Sequence, residues 1–247
     1  MKENKIWNDY LPEDMQEHWT VYECLKESED SSTFLVKETA TGILCVLKWG
    51  RNRQTEFLRN EMEIMKKMAD RKLSGVPKAY RIFEENGEVY LVREYIEGMS
   101  LAQMVLQKGG ISEAEICRIS RKICQTAEQF QNPDEPMIHR DIKPENIVVT
   151  PGGEVVFIDF GTMRSYKKDG SRDTFVVGTR GTAAPEQYGY TQTDQRTDVY
   201  AIGQTMLYMV SESYEMNQLS ECAVSRRMKK IIEKACSFEP DKRYGDA

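Results

Sequence analysis

The sequence has few of the residues that build metal clusters and disulfide frameworks. It contains two histidines and six cysteines in 247 residues, and no two cysteines form a C-x-x-C pair, so a zinc site is not expected. No apolar segment opens the chain as a signal peptide, and the longest one, near 201–210, is too short and interrupted to span a bilayer. These absences favour a reduced, cytoplasmic setting with no membrane contact within this chain.

A strong charge of either sign is also missing. The 34 basic and 40 acidic residues leave a formal net charge of -6, and no basic patch is evident, so nucleic acid is not an expected partner. Hydrophobic residues make up 40% of the chain. A chain of this length buries roughly 70 to 75% of its unfolded surface. We therefore expect one large domain or two intimate lobes, and exclude disordered chains and small disulfide scaffolds.

The first part of the chain has the pattern of short strands. β-Branched and aromatic residues separated by turn signals predict strands at 21–25, 34–37, 43–48, 80–83 and 89–94. Glu85-Asn86-Gly87 is the clearest hairpin turn. Apolar residues at helical spacing predict one helix over 55–68. Residues 1–97 are therefore predicted to form a small, mostly antiparallel lobe.

After Gly98 the apolar periodicity becomes helical. Ser100 is a candidate N-cap for a helix ending near Gly109, and Ser112 with Glu115 is a capping box for a helix that reaches about Phe130. Further helices are predicted over 198–210 and around 228–235. Residues 98–247 are therefore predicted to form a larger, mainly helical lobe.

Three motifs that carry chemistry follow one another in this second part. The stretch 139–146 has the sequence His-Arg-Asp-Ile-Lys-Pro-Glu-Asn, Asp159-Phe160-Gly161 begins thirteen residues after Asn146, and Ala184-Pro185-Glu186 comes later. Asp-Phe-Gly alone recurs by chance as a surface turn, so the specificity lies in the order and spacing. Together, the motifs resemble the catalytic loop, metal-binding and activation-segment motifs of eukaryotic-like (Hanks-type) protein kinases, in particular the bacterial Ser/Thr branch.

The resemblance covers about 19–244 and implies both a fold and an activity. The fold would be α+β and bilobal, with an antiparallel N-terminal lobe carrying one main helix and a larger helical C-terminal lobe. The activity would be transfer of the ATP γ-phosphoryl group to Ser/Thr hydroxyls of proteins, including the chain itself. Because Lys143 matches the Ser/Thr-specific form of the catalytic loop, serine and threonine are the implied acceptors.

The resemblance also assigns the catalytic groups. Asp141 would accept or orient the hydroxyl proton, and Lys143 would neutralise the transferred phosphate. Asn146 and Asp159 would hold Mg²⁺, with Mn²⁺ as another possible ion, because hard oxygen ligands suit such cations. Thr179 matches the threonine that bonds the catalytic aspartate and lysine.

Residues in the first lobe match the family's nucleotide-binding positions. Lys48 corresponds to the lysine that grips the α- and β-phosphates, and Glu61 would pair with it, with Glu56 and Glu63 as alternatives. The resemblance also implies that four further residues bind the nucleotide: Val46, Glu94, Ile96 and Val148.

Two buried supports follow from the resemblance as well. Glu186 would form an ion pair with Arg243, tying distant segments together. Asp198 would brace the backbone of the catalytic loop. Neither residue would touch the substrate.

Three features depart from the family pattern. The glycine-rich loop expected at Lys26–Ser31 contains no glycine, and Glu27, Glu29 and Asp30 give it a net charge near -2. Charge repulsion of this kind should weaken ATP binding roughly ten- to a hundredfold. Val46 stands where the family has alanine, and overpacking there costs about 1 to 3 kcal/mol. Arg93 precedes the hinge 94–96, and it either competes with Lys48 for Glu61 or points outward.

Arg140, directly before the catalytic aspartate, suggests regulation by phosphorylation. In the family such an arginine docks a phosphorylated activation segment. Thr174 is the first candidate for the modified residue and Ser171 the second, in the polar run 167–174.

Two other readings of the sequence remain open. The departures would also fit a pseudokinase that acts as a binding or scaffold module. Small-molecule phosphotransfer is a third reading, although Thr179 and the Ala-Pro-Glu motif belong to peptide-binding activation segments. A homodimer for autophosphorylation is possible, and the chain stops where the resemblance predicts another helix, which indicates a fragment of a longer protein.

Overall fold

The computed structural model describes residues 11–131, 135–166, 178–189 and 192–247. The described residues fall into two compact units. One comprises 11–72 and 76–96, and the other comprises 73–75 together with the described residues from 97 onward. Within these ranges, no helix has the length and apolar character needed to cross a membrane.

The first unit contains a five-stranded antiparallel sheet. Its strands are β1 (Trp19–Glu27), β2 (Ser31–Glu38), β3 (Leu44–Gly50), β4 (Ala79–Glu85) and β5 (Glu88–Glu94), in the order β1-β2-β3-β5-β4. The five strands predicted from the sequence are all present, with their ends shifted by a few residues. A short helix before them, α1 (Glu13–Gln16), was not predicted.

The β4–β5 hairpin closes at the predicted turn. Asn86 and Gly87 have φ values of 50° and 81°, so both central residues are left-handed. This is the geometry of a type I′ turn, in which Asn-Gly is favoured because asparagine and glycine tolerate positive φ.

The helix α2 (Gln54–Asp70) packs against one face of this sheet. Leu58 and Met62 of the helix form a buried cluster with Val89 and Leu91 of β5. The opposite face carries a larger apolar cluster that includes Trp19 and Phe34, and Met15 of α1 packs into it.

Gly50, the last residue of β3, lets the start of α2 lie close to the end of the strand. A Cβ atom at this position would lie 2.9 Å from both Gln54 Cβ and Leu58 Cδ1. Glycine therefore permits the close approach of the helix start to the end of the strand.

The second unit is mainly helical. Its α-helices are α3 (Leu101–Lys108), α4 (Glu113–Phe130), α5 (Gln195–Ser211) and α6 (Arg226–Ala235). Ser100 caps α3 in a capping box with Gln103, and Gly109 ends the helix at φ 61°. The Ser112 side chain caps α4 by accepting from the backbone N–H of Glu115. The predicted α+β class is thereby confirmed.

Short strands and turns of the second unit carry the predicted motifs. β6 (Met99–Ser100), β8 (Ile147–Val149) and β9 (Val155–Phe157) form a three-stranded sheet, and β7 (Met137–Ile138) pairs with β10 (Arg164–Ser165). Short 3₁₀ turns occupy Pro144–Asn146, Pro185–Tyr188, Met216–Ser220 and Pro240–Lys242. Since β8 and β9 are antiparallel and Ile147 is opposite Phe157, the residues before β8 and after β9 share one end of the hairpin.

Candidate active site

Lys48 and Glu61 form a buried ion pair within the first unit. Lys48 lies opposite Leu91 of β5, so it shares the face of the sheet that α2 covers. Its Nζ donates to both Glu61 carboxylate oxygens at 2.8 and 2.7 Å, and Glu61 is 1% exposed. Glu56 and Glu63 are exposed, and Glu63 pairs with Lys67 instead. Of the three glutamates considered from the sequence, Glu61 is the partner of Lys48.

Three side chains orient the carboxylate of Asp141. Lys143 Nζ lies 2.7 Å from Oδ2, and Asn146 Nδ2 donates to the same oxygen at 2.9 Å. The Thr179 hydroxyl donates to Oδ1 at 2.7 Å and accepts from Lys143 Nζ at 2.6 Å. Asp141 is therefore held from both sides by charge-assisted hydrogen bonds.

Asn146 and Asp159 are brought together by the β8–β9 hairpin. Asn146 directly precedes β8 and Asp159 follows β9, and the Ile158 N–H donates to the Asn146 carbonyl at 3.0 Å. Asp159 Oδ1 accepts from the Gly161 N–H at 3.3 Å. The sequence separation of thirteen residues is thus closed by a short hairpin.

The donor set at Asn146 and Asp159 fits a hard divalent cation. Asn146 uses its amide nitrogen for Asp141, which leaves the amide oxygen as the ligand atom, and Asp159 adds a carboxylate. The described part of the chain contains no group of three or more His, Cys, Asp and Glu residues suited to a metal. Two oxygen-donor side chains match Mg²⁺, which usually completes its shell with phosphate and water.

Asp198 braces the backbone of the catalytic loop, as predicted. Its two carboxylate oxygens accept from the N–H groups of His139 and Arg140, each at 2.9 Å. Burial raises the pKa of Asp198 to about 6 despite these two bonds. Arg140 has a φ of 67°, and its carbonyl accepts from Gln187 Nε2 at 2.7 Å.

His139 is an internal, apolar-packed histidine rather than an exposed acid or base. It is fully buried against the rings of Phe130, Phe157 and Phe160. Burial lowers its pKa to about 4, so the imidazole is neutral near pH 7. Its Nδ1 accepts from the Asp141 N–H, which ties the packed core to the catalytic loop.

The predicted pairing of Glu186 with Arg243 is present and fully buried. Arg243 Nη1 and Nη2 donate to the two Glu186 oxygens at 2.7 and 2.9 Å. Thr197 at the start of α5 adds a hydroxyl donor to Glu186 at 2.8 Å. The segment after Ala184 is thereby fixed to α5 and to the turn near 240.

The four additional nucleotide-binding candidates lie in both units. Val46 is buried in β3, Glu94 ends β5, and Ile96 follows two residues later. Val148 is buried in β8 of the second unit.

Residues 20–246 match the family described as "Protein kinase domain". The chain belongs to the protein kinase family. Members of this family use ATP and a divalent metal ion and act on protein substrates. The fold class predicted from the motifs is therefore correct.

Relatives of the kinase domain occur in bacteria and eukaryotes. Serine/threonine-protein kinase D of Synechocystis is 29% identical over 246 residues, which cover 87% of this chain and 47% of that protein. Serine/threonine-protein kinase B of the same organism is 30% identical over 70% of this chain and 33% of that protein. Serine/threonine-protein kinase cds1 of Schizosaccharomyces pombe is 25% identical over 82% and 48%. The chain thus spans about half the length, or less, of these relatives.

The sequence suggested that the acidic loop at Lys26–Ser31 carries free negative charges. In the structure of the kinase domain, Asp30 of this loop is paired instead. Asp30 accepts from Arg51 Nε at 3.3 Å and from Asn52 Nδ2 at 2.8 Å, and the Glu29 carbonyl accepts from Arg51 Nη2. Ser28 closes the turn with hydrogen bonds to Ser31. Part of the charge expected to repel ATP is therefore neutralised by the residues that follow β3.

Arg93 does not point outward, so the outward placement considered from the sequence is wrong. Arg93 is 3% exposed, and its Nη1 donates to the Glu94 carbonyl at 2.9 Å. The register places Arg93 opposite Val46, so no slip of the hairpin changes its assignment. Lys48 holds both oxygens of Glu61.

Several supporting residues carried no usable signal in the sequence. Gln187 holds the Arg140 carbonyl, Thr162 donates to the His139 carbonyl at 3.0 Å, and Arg51 holds the acidic loop. Such polar residues are common on any surface, and only the folded chain brings them to their partners. Thr174 and Ser171, the predicted phosphorylation sites, lie outside the described residues.

Proposed function

We propose that the kinase domain transfers the γ-phosphoryl group of ATP to serine and threonine hydroxyl groups of proteins, its own included. The observation that carries the proposal is the Asp141 carboxylate, which Lys143, Asn146 and Thr179 hold in one orientation. Phosphoryl transfer needs positioned groups more than covalent chemistry, and this arrangement supplies them. The Ser/Thr kinase names of the relatives support the choice of acceptor.

In the proposed reaction, Asp141 accepts the proton of the attacking hydroxyl. The hydroxyl oxygen forms the new bond to the γ-phosphorus while the bond from that phosphorus to the ADP oxygen breaks. Lys143 lies next to Asp141 and offsets the charge of the transferred group. The single hydroxyl of Thr179 bonds to both residues and fixes their positions relative to each other.

Lys48 is proposed to hold the α- and β-phosphates. Its ammonium is fixed by Glu61, so little side-chain entropy is lost when it meets an anionic ligand. Asn146 and Asp159 would hold Mg²⁺, with Mn²⁺ fitting the same oxygen donors. The ion would neutralise phosphate charge.

Two wider proposals concern the setting of the reaction. All six cysteines are free thiols, which supports a reducing compartment such as the cytoplasm. Autophosphorylation between two copies would require at least a transient homodimer.

Radiolabelled ATP and a generic basic protein test the activity. We expect the wild type to label the protein and Asp141→Asn to lose nearly all transfer, because the amide cannot accept the hydroxyl proton. Asp70→Asn, at an exposed aspartate at the end of α2, is the matched control and should keep wild-type transfer.

The outcomes separate the proposal from its rival. Equal labelling by the wild type and Asp141→Asn would point to a contaminating kinase and leave the proposed role of Asp141 without support. No labelling by a folded wild type would favour the pseudokinase, for which the buried Arg93 at the Glu94 carbonyl is the specific structural argument.

A further inference from the structure

The connection after α5 places Tyr214 against the end of that helix. The N–H of Glu212 donates to the Tyr208 carbonyl at 2.8 Å, where α5 ends. The Ser211 hydroxyl donates to the Ser213 carbonyl at 3.1 Å, which closes the turn that follows. Tyr214 then stacks on Tyr208, with the ring centroids 5.1 Å apart and an interplanar angle of 27°. The position of the Tyr214 ring is therefore fixed by a contact with α5.

The Tyr214 ring also lies directly against the backbone of Gly181. A Cβ atom at Gly181 would lie 2.9 Å from Tyr214 Cδ2 and 3.1 Å from Tyr214 Cγ. Gly181 has a φ of 100°, a conformation that glycine adopts readily and other residues rarely do. The ring therefore occupies the space that a side chain at residue 181 would need, and packs on the backbone instead.

Gly181 lies inside the turn that presents Thr179. The Thr179 carbonyl accepts from the N–H groups of Thr182 at 3.1 Å and Ala183 at 2.9 Å, so the turn closes on Thr179 itself. The hydroxyl of the same threonine donates to Asp141 Oδ1 at 2.7 Å. A displacement of this turn would therefore change a hydrogen bond of the proposed catalytic carboxylate.

The electrostatic surroundings of Tyr214 also include the catalytic centre. Burial raises the pKa of the Tyr214 phenol, and the negative charges of Glu145, Tyr208 and Asp141 raise that pKa further. The phenol is consequently neutral near pH 7. Tyr214 can therefore act on the catalytic centre through the packing of its ring, and not as a charged group.

We propose that Tyr214 is a positioning residue for phosphoryl transfer, whose ring holds the turn at 178–183 so that Thr179 keeps its bonds to Asp141 and Lys143. This inference rests on the proposed function. Tyr214 lies outside the motifs that carry chemistry, and its contact with Gly181 connects the end of α5 to the catalytic loop. The ring, and not the phenol hydroxyl, is the part of the side chain that this role requires.

Kinetics with variants that remove or keep the ring test the proposal. Tyr214→Ala should lower kcat about tenfold, because a small displacement of Thr179 weakens the positioning of Asp141. The KM values for ATP and for the generic basic protein should stay within about twofold, because Tyr214 is not proposed to touch either substrate. Tyr214→Phe keeps the ring and should retain the wild-type kcat. Phe238→Ala, at an aromatic residue of the same unit that is 73% exposed, is the matched control and should retain it too.

A double-substitution cycle separates positioning from a general loss of structure. Thr179→Val removes the hydroxyl through which Tyr214 is proposed to act. In the Thr179→Val background, Tyr214→Ala should therefore lower kcat by less than about twofold, compared with about tenfold in the wild-type background. A residue that only stabilises the fold would lower kcat by the same factor in both backgrounds.

The results that would overturn the inference differ in what else they affect. Equal kcat values for Tyr214→Ala and the wild type, or equal factors in the two backgrounds, remove the inference and leave the proposed function standing. A change confined to the KM for the basic protein would make Tyr214 a substrate contact and removes the inference as well. If Tyr214→Ala does not fold, judged by circular dichroism, Tyr214→Leu replaces it under the same criteria, since leucine fills part of the space without a flat ring. No transfer by a folded wild type would remove the inference together with the proposed function.

Discussion

At the scale of single residues, Thr179 joins two segments that are far apart in the chain. One hydroxyl donates to Asp141 and accepts from Lys143, so the geometry of both depends on it. Gly178 before it has a φ of 151°, and a Cβ there would lie 2.5 Å from Ala183 Cβ. The backbone that presents the hydroxyl therefore requires glycine.

Replacing Thr179 by valine should lower phosphoryl transfer without unfolding the domain. Valine has nearly the same shape but offers no hydroxyl, so Asp141 and Lys143 each lose a hydrogen bond. Bonds to charged groups are worth about 1.5–3 kcal/mol, which predicts a fall in kcat/KM of roughly 10- to 100-fold. Steady-state kinetics with ATP and a peptide substrate would measure it.

Thr179→Ser is the matched control, because serine keeps the hydroxyl and loses only a methyl group. It should retain most of the wild-type kcat/KM. Equal activity of Thr179→Val and the wild type would contradict the positioning role of the hydroxyl.

Much of the residue-scale chemistry could be predicted because it is coded by local motifs. Asp141, Asn146 and Asp159 stand at fixed spacings, and a short hairpin connects them whatever the rest of the chain does. Arg93 was recognised as a departure, but its contact with the Glu94 carbonyl could not be predicted. A long side chain has several staggered torsions, and only its neighbours decide among them.

At the scale of elements, segment types were predicted better than segment ends. The helix predicted over 198–210 begins earlier, at Gln195, because the Asp194 side chain caps it by accepting from the Arg196 N–H at 2.8 Å. The short helix α1 went unpredicted, since four residues are too few to show a periodicity. Caps at Ser100 and Ser112 could be predicted because one side chain and a nearby N–H suffice.

The Glu186–Arg243 pair makes a prediction about how elements hold together. Arg243→Met should lower the free energy of unfolding by about 3–5 kcal/mol, because it leaves the buried Glu186 carboxylate without its counter-charge. Urea denaturation followed by circular dichroism would measure the loss. Arg227→Met, at an exposed arginine of α6, is the control and should change stability by less than about 0.5 kcal/mol.

A second substitution shows whether the loss of stability in Arg243→Met comes from the unpaired negative charge of Glu186. Adding Glu186→Gln to Arg243→Met should restore part of the stability, since a neutral amide costs less to bury than a carboxylate. A loss below about 1 kcal/mol in Arg243→Met alone would speak against the pair as a structural tie.

At the scale of the whole molecule, two buried groups give the stability opposite responses to pH. His139 has its pKa lowered by burial to about 4, and so stabilises the fold fully above about pH 6.5 and loses this contribution as pH falls through 4. Asp198 has its pKa raised by burial to about 6, so its contribution is complete below about pH 3.8 and is lost as pH rises through 6. The two effects partly cancel between pH 4 and 6.

His139→Phe should remove the contribution of His139 to the pH dependence of stability and leave that of Asp198. A shift from about 6.5 to about 4 corresponds to about 3 kcal/mol, so the variant should gain about that much relative to the wild type as pH falls from 6.5 to 4. Urea unfolding at several pH values would measure the difference. A constant difference between His139→Phe and the wild type across this range would rule out the assignment.

The sequence by itself predicted the fold class and the order of the elements, and its resemblance to protein kinases implied the residues of the candidate catalytic centre. These depend on local signals: strand and helix periodicity, caps, an Asn-Gly turn and motifs with fixed spacing. The tertiary structure decided in favour of Glu61, the expected partner of Lys48, over its two alternatives. It alone decided that Arg51 and Asn52 hold the acidic loop. It alone decided that Arg93 turns inward to a backbone carbonyl. The physical reason is that long polar side chains choose their partners only after packing has removed water and fixed the distances between strands and helices.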